Sequence, residues 1–103
     1  MVEVTIKILN PSGLHARPAA RFVELASSFQ SEILVRDLTT GSKPVNAKSI
    51  LGILTLGVEY GHEIEIATLG EDEAPACEAL SRLVGEELLE IDEAYPEQTR
   101  DDM

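Results

Sequence analysis

The chain is poor in the residues that announce special chemistry. A single cysteine, Cys77, in 103 residues excludes an internal disulfide framework. Two histidines, with no cysteine or carboxylate cluster at ligand spacing, argue against a metal site and against any cofactor held that way. No apolar run approaches the ~18 residues of a membrane span, and no charged segment precedes an apolar stretch, so neither membrane insertion nor a secretory signal is expected. The default location is the cytoplasm, which a lone thiol fits. With no tryptophan and four aromatics in all, the core has to be aliphatic, built from Ile, Leu, Val and Ala. Cations are also scarce, with three lysines and five arginines that form no cluster, which argues against nucleic acid as a partner.

Acid is abundant and unevenly placed. Residues 1–60 carry six cationic against five acidic side chains, whereas residues 61–103 carry two against fourteen, so the net charge of −11 sits in the second half. A solvated, solubilising surface is the simplest reading, and adaptation to high salt is a second. A length of 103 residues with 44% hydrophobic residues suits one small domain, a single sheet backed by a few helices.

Along the chain, Val2, Val4, Ile6 and Ile8 alternate with Glu3, Thr5 and Lys7, which predicts a strand with one buried face. Ala19, Phe22, Val23, Ala26 and Phe29 share one face of a helix that ends near Ser28. Residues 32–38 are rich in β-formers, and Thr39 to Pro44 form a hairpin loop. Pro44 cannot donate to a ladder, which places the short strand around Val45 and Asn46 at a sheet edge. Ser49 caps a short helix that Gly57 stops, and Ile64 and Ile66 alternate with acids in a fourth strand. A last helix from about Asp72 to Leu89 or Glu90 turns Ala76, Leu80, Leu83, Val84 and Leu88 inward, with Cys77 on the same stripe as a small core residue. His62, after a turn glycine, reads as a surface histidine. The order is βαββαβα, and strand alternation with one wet face predicts an α+β open-faced sandwich: a four-stranded antiparallel sheet with three helices on one face. Residues 1–90 form the domain. Residues 91–103 are acidic, contain Pro96 and have no periodicity, which reads as a disordered tail.

The stretch with most chemical content is Asn10-Pro11-Ser12-Gly13-Leu14-His15-Ala16-Arg17-Pro18-Ala19-Ala20. Turn formers lead into a helix whose first turn contains Pro18, so His15 and Arg17 stand at a helix start, where N–H groups and the dipole favour an anion. An imidazole there is a nucleophile that can be neutral near pH 7, and phosphoryl chemistry is one use for it. A turn histidine bonded to a nearby carbonyl is the other reading of the same residues. Ser49 likewise divides between a helix cap and a regulatory site. Ile50, Leu51, Ile53 and Leu54 are too numerous for one narrow buried stripe, so some of them should be exposed.

Gly13-Leu14-His15-Ala16-Arg17-Pro18-Ala19, followed by Asn46-Ala47-Lys48-Ser49-Ile50-Leu51-Gly52-Ile53-Leu54-Thr55-Leu56-Gly57, resembles HPr, the histidine-containing phosphocarrier family of the bacterial phosphotransferase system. The resemblance covers about residues 1–89, with a hairpin loop after residue 38 a few residues longer than the family's usual pattern. It implies the same open-faced sandwich and a phosphoryl group accepted on Nδ1 of His15 from phosphorylated enzyme I, then passed to enzyme IIA domains for sugar uptake. In that reading Arg17 stabilises the phosphate. Ala16 and Ala20 leave room for a partner, with Ile50, Leu51 and Leu54 forming a docking patch beside His15. Ser49 matches the serine that an HPr kinase/phosphorylase modifies in many Gram-positive bacteria, and a transcriptional regulator is a further partner. The protein is then a monomeric phosphorylated intermediate rather than a catalyst that turns over alone. An HPr-like regulatory paralogue, of a nitrogen-related or dihydroxyacetone kinase branch, is the alternative. A small binding module in which His15 is never modified is a third.

Overall fold

Strands and helices follow one another as β1 (Val2–Lys7), α1 (Ala16–Ser27), β2 (Glu32–Asp37), β3 (Val45–Asn46), α2 (Ile50–Leu56), β4 (Glu63–Leu69) and α3 (Glu73–Arg82). The computed structural model describes residues 1–91, so the stretch read as a tail lies outside the described residues from position 92 onward. The four strands form one sheet in the order β1-β4-β2-β3, with every neighbouring pair antiparallel. β3, which follows Pro44, is the short edge strand that a residue without an N–H predicts.

Registry explains why one face is dry. Val4 and Val35 both pair with Ile66, Ile6 pairs with Ile64, and Ile33 pairs with Thr68, so the period of two brings all these side chains to the same side. Ile33, Val35, Ile64 and Ile66 are fully buried there, and the helices cover them with Ala19, Phe22 and Ala26 of α1, Ile53 of α2, and Ala76 and Leu80 of α3. Phe22 is the largest of these side chains, and its burial alone stabilises the fold by roughly 1.5–3 kcal/mol. The opposite face carries Glu3, Thr5, Lys7 and the Arg36–Glu65 ion pair, whose Nε donates to a carboxylate oxygen at 2.9 Å.

α3 passes into a π-helical turn at Leu83–Glu87 and regains α-helical geometry through Ile91, which packs partly buried against the core. The turn contains Gly85, and the helix beyond it still buries Leu88. Arg21 Nε donates to Glu87 Oε2 at 2.6 Å and so ties α1 to this end of the last helix. That hydrogen bond is the main reason the guanidinium is held above its ordinary value. Cys77 is buried, and burial pushes its thiol up, away from the reactive thiolate.

Asp72, at the start of α3, turns its carboxylate toward the α1–β2 connection. It accepts the N–H groups of Gln30 at 2.8 Å and Ser31 at 2.9 Å, together with the Ser31 hydroxyl. The Ser31 hydroxyl and these N–H groups hold the carboxyl below its ordinary value of 3.8. A depressed folded value contributes stability that is present above pH 3.8 and is lost as the pH falls through that depressed value. Asp72→Ala is therefore expected to lower the urea midpoint at neutral pH, with the gap from wild type closing on acidification. A gap that stays constant down to the acid limit would remove the carboxylate from this role.

Candidate functional site

The site begins as a locked turn. Asn10 is buried, its side-chain amide donates to the Gly13 carbonyl at 2.8 Å, and the Gly13 N–H donates to the Asn10 carbonyl at 3.0 Å. Gly13 has φ +60°, and a Cβ placed there would lie 2.2 Å from the Val58 carbonyl oxygen and 2.9 Å from Glu59 Cα. Only glycine fits so close to another backbone at that conformation. The Leu14 N–H then donates to that same Val58 carbonyl at 3.1 Å, while the Leu14 side chain is fully buried. Two stretches of chain 44 positions apart are thereby clamped together directly beneath His15.

His15 is the N-cap residue of α1, in extended conformation, and its side chain makes no capping hydrogen bond. The ring is 41% exposed, and its Nε2 lies 3.2 Å from Oε2 of Glu59, a side chain that is itself 62% exposed. A carboxylate only accepts, so Nε2 is the donor in this pair. Ala16 follows with φ +49°, a left-handed conformation that costs an L-residue roughly 1–2 kcal/mol when unsupported. Pro18 has no N–H, and that of Ala19 donates to the His15 carbonyl at 3.5 Å. Arg17 and Ala20 are exposed on the same turns, while Pro18 and Ala19 are buried and anchor them.

α2 carries the second motif. Ser49 accepts the Gly52 N–H at 3.0 Å and caps the helix, and Gly57 ends it at φ +63°. Ile53 and Leu56 are buried, whereas Ile50, Leu51 and Leu54 are 44%, 70% and 41% exposed. α1 and α2 pack against one another.

Two residues of this region have no signal in the local sequence pattern. Glu59 is one, since nothing near position 59 indicates that it meets His15. His62 is the other, and here the expectation of a surface histidine needs correction. Its side chain is only 21% exposed, and the ring Nδ1 lies 2.7 Å from Oδ2 of the fully buried Asp37. Asp37 also accepts the Thr39 N–H at 3.0 Å, while its own N–H is bonded to the Ser42 hydroxyl. The His62 ring and the hairpin loop thus supply the partners that a buried carboxylate requires. Among the described residues no group of His, Cys, Asp and Glu is arranged to hold a metal ion, and no helix is long and apolar enough to cross a membrane.

The PTS-HPr family model, described as the PTS HPr component phosphorylation site, matches residues 2–86. The phosphocarrier protein HPr of Treponema pallidum is 46% identical over 84 residues, which cover 81% of this chain and 91% of the relative. The crystal structure of an HPr from Thermoanaerobacter tengcongensis superimposes with a TM-score of 0.80 at 49% identity, covering 85% of this chain and 96% of that one. Crh of Bacillus subtilis, a catabolite repression protein whose crystal structure is a domain-swapped dimer, aligns with a TM-score of 0.65 at 41% identity over 84% of this chain and 97% of its own. With a histidine at the mouth of the first helix, a serine-capped short second helix and a family match across most of its length, the chain belongs to the HPr family of phosphocarrier proteins of the phosphotransferase system.

Proposed function

We propose that this chain is a general phosphoryl carrier: His15 accepts the phosphoryl group from phosphorylated enzyme I and passes it to enzyme IIA components for sugar uptake. The observation that carries this reading is the exposed His15 ring at the start of α1, inside a segment matched by a family whose description is a phosphorylation site. A phosphoryl transfer asks little covalent chemistry of the protein, so in-line positioning and charge balance do most of the work. Arg17, two positions on, is the cation that meets the phosphate, and the helix start adds its dipole. Release matters as much as capture. An exposed, solvated site stabilises the phosphorylated ring only modestly, which suits a group that has to move on.

Ile50, Leu51 and Leu54, with the small exposed residues Ala16 and Ala20, form the docking surface in this reading. Their exposure costs burial that a partner's apolar face can recover. The carrier works in the cytoplasm as a monomer. A regulatory paralogue is the second reading, favoured by the similarity to Crh of Bacillus subtilis. The two are separated by incubating the phosphorylated chain with a sugar-specific enzyme IIA. Transfer of the phosphoryl group supports the carrier; a chain that enzyme I phosphorylates but that gives nothing to any IIA component supports the paralogue.

Ser49 is the regulatory position in the same proposal, the residue on which an HPr kinase/phosphorylase acts and through which a transcriptional regulator is engaged. Its hydroxyl caps α2, and aspartate is an equally good N-cap, so Ser49→Asp keeps the helix while adding charge beside Ile50 and Leu51. We expect the variant to be phosphorylated by enzyme I on the order of tenfold more slowly, or ~1.4 kcal/mol in the barrier. An unchanged rate in a stopped-time assay would remove Ser49 from regulation.

A further inference from the structure

We propose that Glu59 is a positioning residue for the phosphoryl acceptor, fixing which nitrogen of His15 reacts and balancing the charge the ring gains; the inference rests on the reading of His15 as acceptor. A neutral imidazole carries one N–H, and the carboxylate 3.2 Å from Nε2 can only accept it. The lone pair is then left on Nδ1, and the ring is turned so that Nδ1 faces away from Glu59. Without a partner at Nε2, both tautomers and both nitrogens compete for the phosphoryl group.

The Nδ1 lone pair attacks phosphorus, the bond from phosphorus to the donor nitrogen breaks with its electron pair leaving on the donor, and the Nδ1–P bond forms. Nε2 keeps its proton throughout, so the phosphorylated ring is an imidazolium, and the Glu59 carboxylate faces its positive edge. When the group is passed on, the Nδ1–P pair returns to Nδ1 and the ring leaves as the same neutral Nε2–H tautomer. The carboxylate therefore acts in both directions of transfer without exchanging a proton.

What makes Glu59 more than a passing surface partner is how its backbone is held. The residue before it, Val58, is fully buried and accepts the Leu14 N–H, and Gly13 leaves no room for the two segments to slide. On the other side, the His62 N–H donates to the Glu59 carbonyl at 3.1 Å, the Gly61 N–H donates to the Ile8 carbonyl at 2.8 Å, and the Ile8 N–H donates to the His62 carbonyl at 2.8 Å. The His62 ring is anchored in turn to buried Asp37. Both ends of the turn carrying Glu59 are thus fastened to the β1 end and the β2–β3 hairpin, and only the Glu59 side chain is free to choose a partner. The pair itself is exposed, so it adds little to stability, and its effect belongs to the reaction.

The test compares wild type, Glu59→Ala and Glu59→Gln with two phosphoryl donors, phosphorylated enzyme I and the small molecule phosphoramidate. The ratio of Nδ1- to Nε2-phosphohistidine is read by phosphorus NMR. With Glu59→Ala, the proportion of the Nε2 isomer formed from phosphoramidate is expected to rise about twofold to fivefold, and the rate of Nδ1 phosphorylation to fall by a similar factor, the range open to an exposed charge pair. Glu59→Gln keeps an acceptor for Nε2–H and is expected to restore the isomer ratio while remaining slower. An isomer ratio in Glu59→Ala equal to wild type overturns the proposal, as does a slowing seen with enzyme I and not with phosphoramidate, which would make Glu59 a docking residue. If wild type reacts with phosphoramidate as expected but enzyme I never labels it, the carrier reading fails and the positioning role stands.

Discussion

Replacing His15 with alanine is expected to abolish phosphoryl acceptance from enzyme I while leaving the urea midpoint close to wild type. The loss should be on the order of 10³-fold or more, because no other group at the site can take the place of the nucleophile. The stability cost should be small. His15 caps α1 only through its backbone carbonyl, its side chain makes no capping bond, and its one described partner is the exposed Glu59. Surface changes of this kind stay within about 0.5 kcal/mol. His62 serves as an internal control, since its Nδ1 is engaged by the buried Asp37 and the ring is mostly covered. Label that persists in His15→Ala, on His62 or on a hydroxyl, would place the acceptor elsewhere.

Gly13→Ala is expected to have the second largest effect, and for the opposite reason, since it attacks the scaffold and leaves the nucleophile in place. The new methyl group would overlap the Val58 carbonyl oxygen at 2.2 Å, so one of the two clamped segments has to move. The left-handed conformation costs about 1–2 kcal/mol, and losing the Leu14 to Val58 hydrogen bond adds about 1 kcal/mol. A fall in stability of roughly 2–3 kcal/mol follows from those two contributions. Phosphorylation should slow by up to ~10²-fold in the fraction still folded, since a shift of ~1 Å at a reacting group has that effect. Gly57→Ala is the control. Its φ of +63° is equally left-handed, but a Cβ there meets nothing within 4 Å, so the conformational cost of about 1–2 kcal/mol stands alone. Equal urea midpoints and equal rates for the two variants would mean that the clamp beneath His15 does not hold.

The fold was largely legible because its signals are local. Alternation marks β1, β2 and β4 within six or seven residues each, and one helical face marks α1 from Ala19 to Phe29. Cap and stop residues mark α2 at Ser49 and Gly57, and Pro44 marks the edge strand. The π-helical turn at Leu83–Glu87 was not legible, because the buried stripe Leu80, Leu83, Val84 and Leu88 reads the same in an uninterrupted α-helix. Nor does periodicity pair residues distant in the chain. His15 meets Glu59 44 positions away, His62 meets Asp37 25 positions away, and Arg21 meets Glu87 66 positions away. Asp37 sits at an inward position of β2, where the hairpin loop and the His62 ring supply the partners its carboxylate needs. The motif histidine was visible at once as a candidate, whereas the carboxylate that sets its tautomer depends on how β1, the α2–β4 connection and the hairpin close on one another.

Whether His15 carries a phosphoryl group in transit is decided by labelling the protein itself. The intact chain is incubated with phosphoenolpyruvate and enzyme I, and the product is followed by intact mass and phosphorus NMR. One phosphoryl group per chain is expected, labile in acid, stable in base and located on Nδ1 of His15. An unlabelled chain, or a phosphate that survives acid, would contradict it.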